Sequence, residues 1–210
     1  MVIESRDTRI DEVSGSHKKS HSNQDVVTFY AFAPEILFFP KLLGKVFENL
    51  RTIVITKSSL SLIEFRDFTK MKKLQRLYLN ENKIEKISPC VFRYALNLET
   101  IELSGNKIQV LNEDVFTNLP NLQQLHMNDN LLMHLESGLF RNNLNLRKIF
   151  MQQNGLEIIE INFMKVVNVE VVDLRSNKCI NVCFGCIIGL TLRDFQNVTA
   201  TRCGNPMKIC

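Results

Sequence analysis

The chain has 210 residues and a net charge of +4, with acidic and basic residues interspersed along its length. That length can bury a substantial core and does not call for two globular domains, and so mild and mixed a charge gives no ground for a nucleic-acid surface. No run of about 18 apolar residues occurs, so no membrane-spanning helix is encoded.

In chain order, residues 1–25 read as a polar N-terminal segment, rich in Ser, His, Lys and Asp, with apolar residues too sparse for a core. His17 and His21 sit among Ser, Lys and Asn, which do not favour the helix that would align two metal ligands, so they are read as solvated loop residues. Residues 26–49 read as an N-terminal cap. Val26, Val27, Phe29 and Phe32 suit an edge strand that shields the first coil. Phe38-Phe39-Pro40 packs beneath it, and a short helix is expected within 42–49.

Residues 50–178 are organised by a repeat. Leu74, Leu77, Leu79, Asn82, Ile84, Ile87 and Phe92 recur 24 residues later as Leu98, Ile101, Leu103, Asn106, Ile108, Leu111 and Phe116. The same spacing returns at Leu122, Leu125, Met127, Asn130, Leu132, Leu135 and Phe140. It returns again, slightly shortened, at Leu146, Ile149, Met151, Asn154, Leu156, Ile159 and Phe163. A weaker copy precedes them from Leu50 to Phe68, with Ser58 at the Asn place, and a half copy ends at Asn177 and Cys179. Self-similarity of this period marks a solenoid of stacked coils.

Each x-x-L-x-L reads as a short strand whose Leu side chains point inward and whose intervening residues point outward. Asn82, Asn106, Asn130, Asn154 and Asn177 are expected to form a ladder. Their carboxamides supply donors and an acceptor to backbone groups buried where the chain turns inward. Phe68, Phe92, Phe116, Phe140 and Phe163 are expected to stack as a convex-side spine, each burying on the order of 150–250 Å².

Stacking aligns the outward positions into rows. The central row is Val54, Tyr78, Glu102, His126, Phe150 and Asp173. One flank reads Thr52, Arg76, Thr100, Gln124, Lys148 and Val171; the other reads Thr56, Asn80, Ser104, Asn128, Gln152 and Arg175. Aromatic anchors ringed by polar groups suit a protein-binding patch. The candidate ligand-binding residues are therefore Tyr78, Glu102, His126, Phe150, Asp173, Arg76, Lys148 and Arg175. Glu102 beside His126 is expected to raise the histidine pKa and make binding pH-dependent. As a catalytic pair it is weak, because the only nearby hydroxyl is Ser104, one position off the row.

The pattern L-x-x-L-x-L-x-x-N-x-L resembles that of extracellular leucine-rich-repeat proteins of the 24-residue type, particularly short secreted arthropod ones. The resemblance covers roughly residues 50–210. It implies an α/β solenoid: a right-handed superhelix with a concave parallel β-sheet and a cysteine-containing C-terminal cap, here residues 179–210. It also implies non-covalent binding as the function.

The family's caps commonly close the last coil with a disulfide from the cysteine after the last Asn, and by that resemblance Cys179–Cys203 is favoured. The family's usual Cys-x-Cys pair is absent. The pairing of Cys183, Cys186 and Cys210 stays open, since six cysteines allow 15 connectivities. Zinc held by Cys183, Cys186, Cys203 and Cys210 is the less favoured alternative, because the second pair is too widely spaced. Cys90, alone before Phe92, reads as a small buried apolar residue, with an intermolecular bond as the alternative.

Six cysteines ask for an oxidising compartment, whereas Met1 to Ser16 lacks the apolar core of a signal peptide. The expectation that reconciles them is a secreted protein whose true start lies upstream; the alternative is a cytoplasmic repeat protein with free thiols. Asn197-Val198-Thr199 is an N-glycosylation acceptor sequence and fits secretion.

No Walker loop, G-x-S-x-G or H-E-x-x-H motif occurs. The chain is therefore expected to be a binding module without catalytic activity, metal or cofactor. Its partner is expected to be a protein of unnamed identity. Nucleic acid is not expected, and self-assembly into a homo-oligomer is the second reading.

Overall fold

The computed structural model describes residues 22–204. The readings of the polar start, of His17 and His21 and of Cys210 lie outside those residues.

Among the described residues, the chain winds through twelve short strands. These are β1 (Thr28–Ala31), β2 (Thr52–Ile55), β3 (Leu62–Ile63), β4 (Arg76–Tyr78), β5 (Lys86–Ile87) and β6 (Thr100–Glu102). Then come β7 (Gln124–His126), β8 (His134–Leu135), β9 (Lys148–Phe150), β10 (Ile158–Ile159), β11 (Val171–Asp173) and β12 (Cys183–Phe184). Seven of them stack as a parallel ladder, β1-β2-β4-β6-β7-β9-β11, and β12 closes the sheet antiparallel to β11. This sheet is the concave wall of the solenoid. Behind it lie two small parallel pairs, β3 with β5 and β8 with β10, together with 3-10 turns.

The alternation of the repeat explains the wall. Ile53, Leu77, Ile101, Leu125, Ile149 and Val172 face inward and are fully buried, as are Ile55, Leu79, Leu103, Met127, Met151 and Leu174. At about 25 cal/mol per Å², one such leucine or isoleucine contributes roughly 1.5–3 kcal/mol, but no coil has a partner for its apolar edge until the next coil stacks on it. On the convex side Phe39, Phe68, Phe92, Phe116 and Phe140 run as a chain of neighbouring rings, 5.2 to 6.3 Å between centroids. Phe163 instead meets Phe195 of the terminal helix at 5.4 Å. Phe38 stays partly exposed while Phe39 enters the core.

The Asn residues join adjacent coils. Asn106 Nδ2 donates to the Leu79 carbonyl of the preceding coil at 3.0 Å and to the Leu103 carbonyl of its own at 2.9 Å, while its Oδ1 accepts from Ile84 N–H at 3.0 Å. Asn82, Asn130, Asn154 and Asn177 repeat this three-way arrangement. Ser58, lacking an amide, makes a reduced version: its hydroxyl donates to the Thr56 carbonyl and accepts from Ala33 N–H.

The residue before each ladder position turns the chain inward through positive φ: Lys57, Glu81, Gly105, Asp129, Gln153 and Ser176, between 50° and 67°. Only Gly105 does so without steric cost.

At the far end, α2 (Leu192–Cys203) caps the stack, following a short α1 (Leu43–Val46) at the near end. Thr191 and Asp194 form a reciprocal capping box that starts α2, and Phe195, Thr199 and Cys203 form its buried face. Cys179 and Cys203 are disulfide-bonded, Cα to Cα 5.3 Å, fastening the helix to the last coil. Cys183 and Cys186 are joined to each other.

Cys90 is exposed, contrary to the sequence reading. Val91 and Phe92, both buried, occupy the inward places of that turn and leave Cys90 outside.

Candidate binding surface

Strand register assembles the concave row. Tyr30 opposes Val54, which opposes Tyr78; then follow Glu102, His126, Phe150 and Asp173, each one strand further. Neighbours in a row stand about 4.8 Å apart. The flanks align the same way, with Arg76 and Lys148 on one side. Sequence reading missed Tyr30. The burial of Phe29 and Ala31 turns it outward, and it stands 62% exposed at the open end of the sheet beside exposed Phe32. The signal was present in the alternation around Phe29 and lay outside the repeat, where no aligned copy pointed to it.

The middle of the row is a contact set. His126 Nδ1 lies 3.3 Å from Glu102 Oε2, and its ring stacks on Phe150 with centroids 4.6 Å apart. Ser104 N–H donates to Glu102 Oε1 at 3.0 Å and holds that carboxylate in place. Burial pulls the His126 pKa below its ordinary value; Glu102 opposes this and Lys148 adds to it. The expected rise is thereby overturned: taking the imidazolium out of water outweighs one neighbouring carboxylate. The Ser104 hydroxyl donates to Asn128 Oδ1 at 2.6 Å, leaving no hydroxyl–imidazole pair of the kind nucleophilic catalysis uses.

Beside the row a depression of about 560 Å³ opens between Tyr78, Glu81, Glu102, Ser104, Gly105 and Asp129. It exists because Gly105, alone in the positive-φ row, has no side chain between Glu81 and Asp129.

Asp173 is not part of the exposed row. It is 2% exposed, because β12 folds back and sets Cys183 opposite it. Arg175 closes over the carboxylate with Nε at 3.0 and 3.2 Å and Nη2 at 2.6 Å. Its own pKa is raised by that hydrogen-bonded pairing and by the Asp173 charge. Among the described residues, the one grouping of three potential metal ligands is Asp173, Cys183 and Cys186, and two of those are the disulfide. Asn197 is exposed on α2, and the Thr199 hydroxyl of its acceptor sequence is buried against the Phe195 carbonyl at 2.8 Å.

A second row of asparagines, not anticipated from the sequence, runs along the edge where the chain enters each strand. The side-chain amides of Asn49, Asn97, Asn145 and Asn168 each donate to a carbonyl one coil earlier, and Asn121 donates to Asn97. Its spacing was legible, but exposed polar repeats carry no burial signal to set them apart from solvated surface.

The sequence matches the leucine rich repeat family model over residues 78–132 and 96–156. Comparison with curated proteins yields no match. Among solved structures, the chain is similar to TLR13 in a TLR13–ssRNA13 complex, with 24% identity and a TM-score of 0.57 over 72% of this chain and 25% of that one. It is similar to the APL1 leucine-rich repeat domain, with 22% identity and a TM-score of 0.62 over 66% of this chain and 36% of that one. A chain of the LRIM1/APL1C complex gives the same identity and score over 66% of this chain and 26% of that one. The chain thus spans about a quarter to a third of the length of these structures, and at such identities the likeness is one of fold.

Proposed function

We propose that this chain, which matches the leucine rich repeat family model over residues 78–132 and 96–156, binds a protein partner non-covalently through the concave row from Tyr30 to Phe150. The observation that carries this reading is the register that lines up Tyr78, Glu102, His126 and Phe150 on one uncovered sheet face. Aromatic anchors set among satisfied polar groups are the composition of an interface centre. Side chains held by Glu102–His126 contact and His126–Phe150 stacking lose little freedom on binding.

Glu81, Glu102 and Asp129 around the Gly105 depression repel a phosphate backbone, which favours protein over nucleic acid. Two disulfides support an extracellular setting, and no helix among the described residues is long and apolar enough to cross a membrane. The Asn197 acceptor sequence would carry its glycan on α2.

The test is capture of partners from extracellular fluid on the immobilised chain, beside the Tyr78→Ala, Phe150→Ala double variant. Truncating two anchors is expected to weaken a specific partner by more than about tenfold. Full retention by the double variant overturns the concave-face assignment. Self-association is the second reading, favoured by exposed Tyr30 and Phe32 at the open edge of β1. It predicts a mass that rises with concentration in light scattering, with and without reductant.

A further inference from the structure

We propose that the Cys183–Cys186 disulfide is a thiol-exchange site, which takes electrons from an external thiol through its exposed sulfur, Cys186, separately from the structural Cys179–Cys203 bond. This is independent of the concave-face reading.

The two disulfides differ in span and in access. Cys179–Cys203 spans 24 residues, ties α2 to the last coil, and has Cys203 fully buried and Cys179 partly buried. Cys183–Cys186 spans 3 residues and closes almost no chain, so it restricts the unfolded state little. Its sulfurs are unequal. Cys183 is fully buried, and Cys186 is exposed in a loop with Ile187 and Ile188, the latter wholly exposed. Attack on a disulfide requires access along the bond to one sulfur, and here only Cys186 offers it.

The turn does not depend on the bond it carries. β12 pairs with β11 and places Cys183 opposite Asp173. Gly185 has φ 82°, and a Cβ there would lie 2.1 Å from the Glu170 carbonyl oxygen, so the backbone itself packs the turn against β11. After reduction the two thiols therefore stay within reach of each other. Cys183 is not released into apolar surroundings: an Asp173 oxygen and both sulfurs lie within 4.8 Å of one another, with Arg175 paired to that carboxylate.

An external thiol, as thiolate, attacks Cys186 Sγ. The Cys183–Cys186 bond breaks, and Cys183 leaves as a thiolate that takes up the proton the attacker gave to solvent. A second external thiol then attacks the mixed disulfide at the external sulfur. Cys186 leaves as a thiol and an external disulfide is formed. Two electrons pass from the external thiols to the protein. The substrate class is a small thiol.

The test equilibrates the full chain with glutathione buffers of graded reduced-to-oxidised ratio, blocks free thiols by alkylation, and maps each cysteine by mass spectrometry. Cys183 and Cys186 are expected to become alkylated at ratios that leave Cys179–Cys203 intact, with a smaller fall in melting temperature than Cys203→Ser brings. In Cys183→Ser a glutathione adduct is expected on Cys186. In Cys186→Ser none is expected on Cys183 until the protein is denatured. The proposal is overturned if both disulfides open together, or if the native map links Cys186 to Cys210 or Cys90. It is equally overturned if the reduced protein binds stoichiometric zinc and then resists glutathione, since that makes Asp173, Cys183 and Cys186 a metal site.

Discussion

The coils between Leu50 and Phe163 and the cap from Asp173 to Gly204 reach the same end by different means. In the coils, each backbone group exposed by a turn is met by a group one coil away, so one rule applied repeatedly closes the structure. Asn106 illustrates it, with three buried hydrogen bonds to its own and the preceding coil. Among the described residues, no further parallel strand follows β11 to supply that partner. The sheet there reverses into β12, an arginine folds over Asp173, and α2 is held by a covalent bond. Repetition satisfies the interior of the solenoid, and its end needs devices used once. The entrance is different again: β1 joins in the register of the repeats and leaves Tyr30 and Phe32 uncovered.

The largest effect should come from breaking the ladder where it is fully enclosed. Asn106→Leu strands the Ile84 N–H and takes one of two asparagine donors from each of the Leu79 and Leu103 carbonyls, and should cost on the order of 3–5 kcal/mol in chemical denaturation. Asn177→Leu removes the same set of bonds at the partly solvated cap boundary, where water can take over, and should cost about 1–2 kcal/mol. Equal costs at the two sites would erase the distinction between coil and cap. The cap's covalent device is next in size. Cys203→Ser should cost about 3.5 kcal/mol by the chain-entropy account and Cys186→Ser about 1.5–2 kcal/mol, a ranking that thermal melts of the oxidised proteins would check.

This contrast also explains what could be read in advance. The strands, the ladder and the Phe spine were legible from Leu77, Asn82 and Phe92 because each has aligned copies that burial makes visible. Tyr30 was missed although the same physics orients it, because β1 has no aligned Leu or Asn to set its frame. Asp173 was misplaced for the opposite reason. The frame extended to it correctly, but the antiparallel return of β12, a feature without period, covers it. Cys90 was assigned to the interior by its neighbourhood, whereas Val91 and Phe92 had already filled the inward places.

A smaller effect probes the turn that both regions share. Gln153 in the coils and Ser176 at the cap boundary hold φ of 55° and 56°, which costs a residue with a Cβ about 1–2 kcal/mol. Gln153→Gly should therefore stabilise by about 0.5–1 kcal/mol after the greater entropy of unfolded glycine is subtracted. Gly105→Ala should destabilise by about 1 kcal/mol and narrow the depression beside Tyr78. If Ser176→Gly gains as much as Gln153→Gly, the turn is set locally. A loss would mean that the Asn181 side chain, which accepts from Ser176 N–H at 2.8 Å, fixes the cap turn instead.

The smallest effect is a pH response confined to the coils. Burial pushes the Asp67 carboxyl up to about 6, aided by Glu64, with the Glu64 N–H and Lys41 opposing. A carboxyl raised in the folded state contributes stability that is fully present below about 3.8 and lost as pH rises through about 6. His126 works the other way. Its folded pKa lies below 6.5, so stability is present above 6.5 and falls as pH drops through the folded value. In the cap, the pairing with Asp173 moves Arg175 further above an already high value, outside this window. Melting temperatures across about pH 7.5 to 5 should separate the terms. Asp67→Asn keeps an acceptor for the Glu64 N–H at 2.7 Å and should lose the gain on acidification. His126→Gln should lose the decline instead. A profile unchanged in both variants would move the acid response out of the coils, and the division between repeated body and singular cap would then not extend to electrostatics.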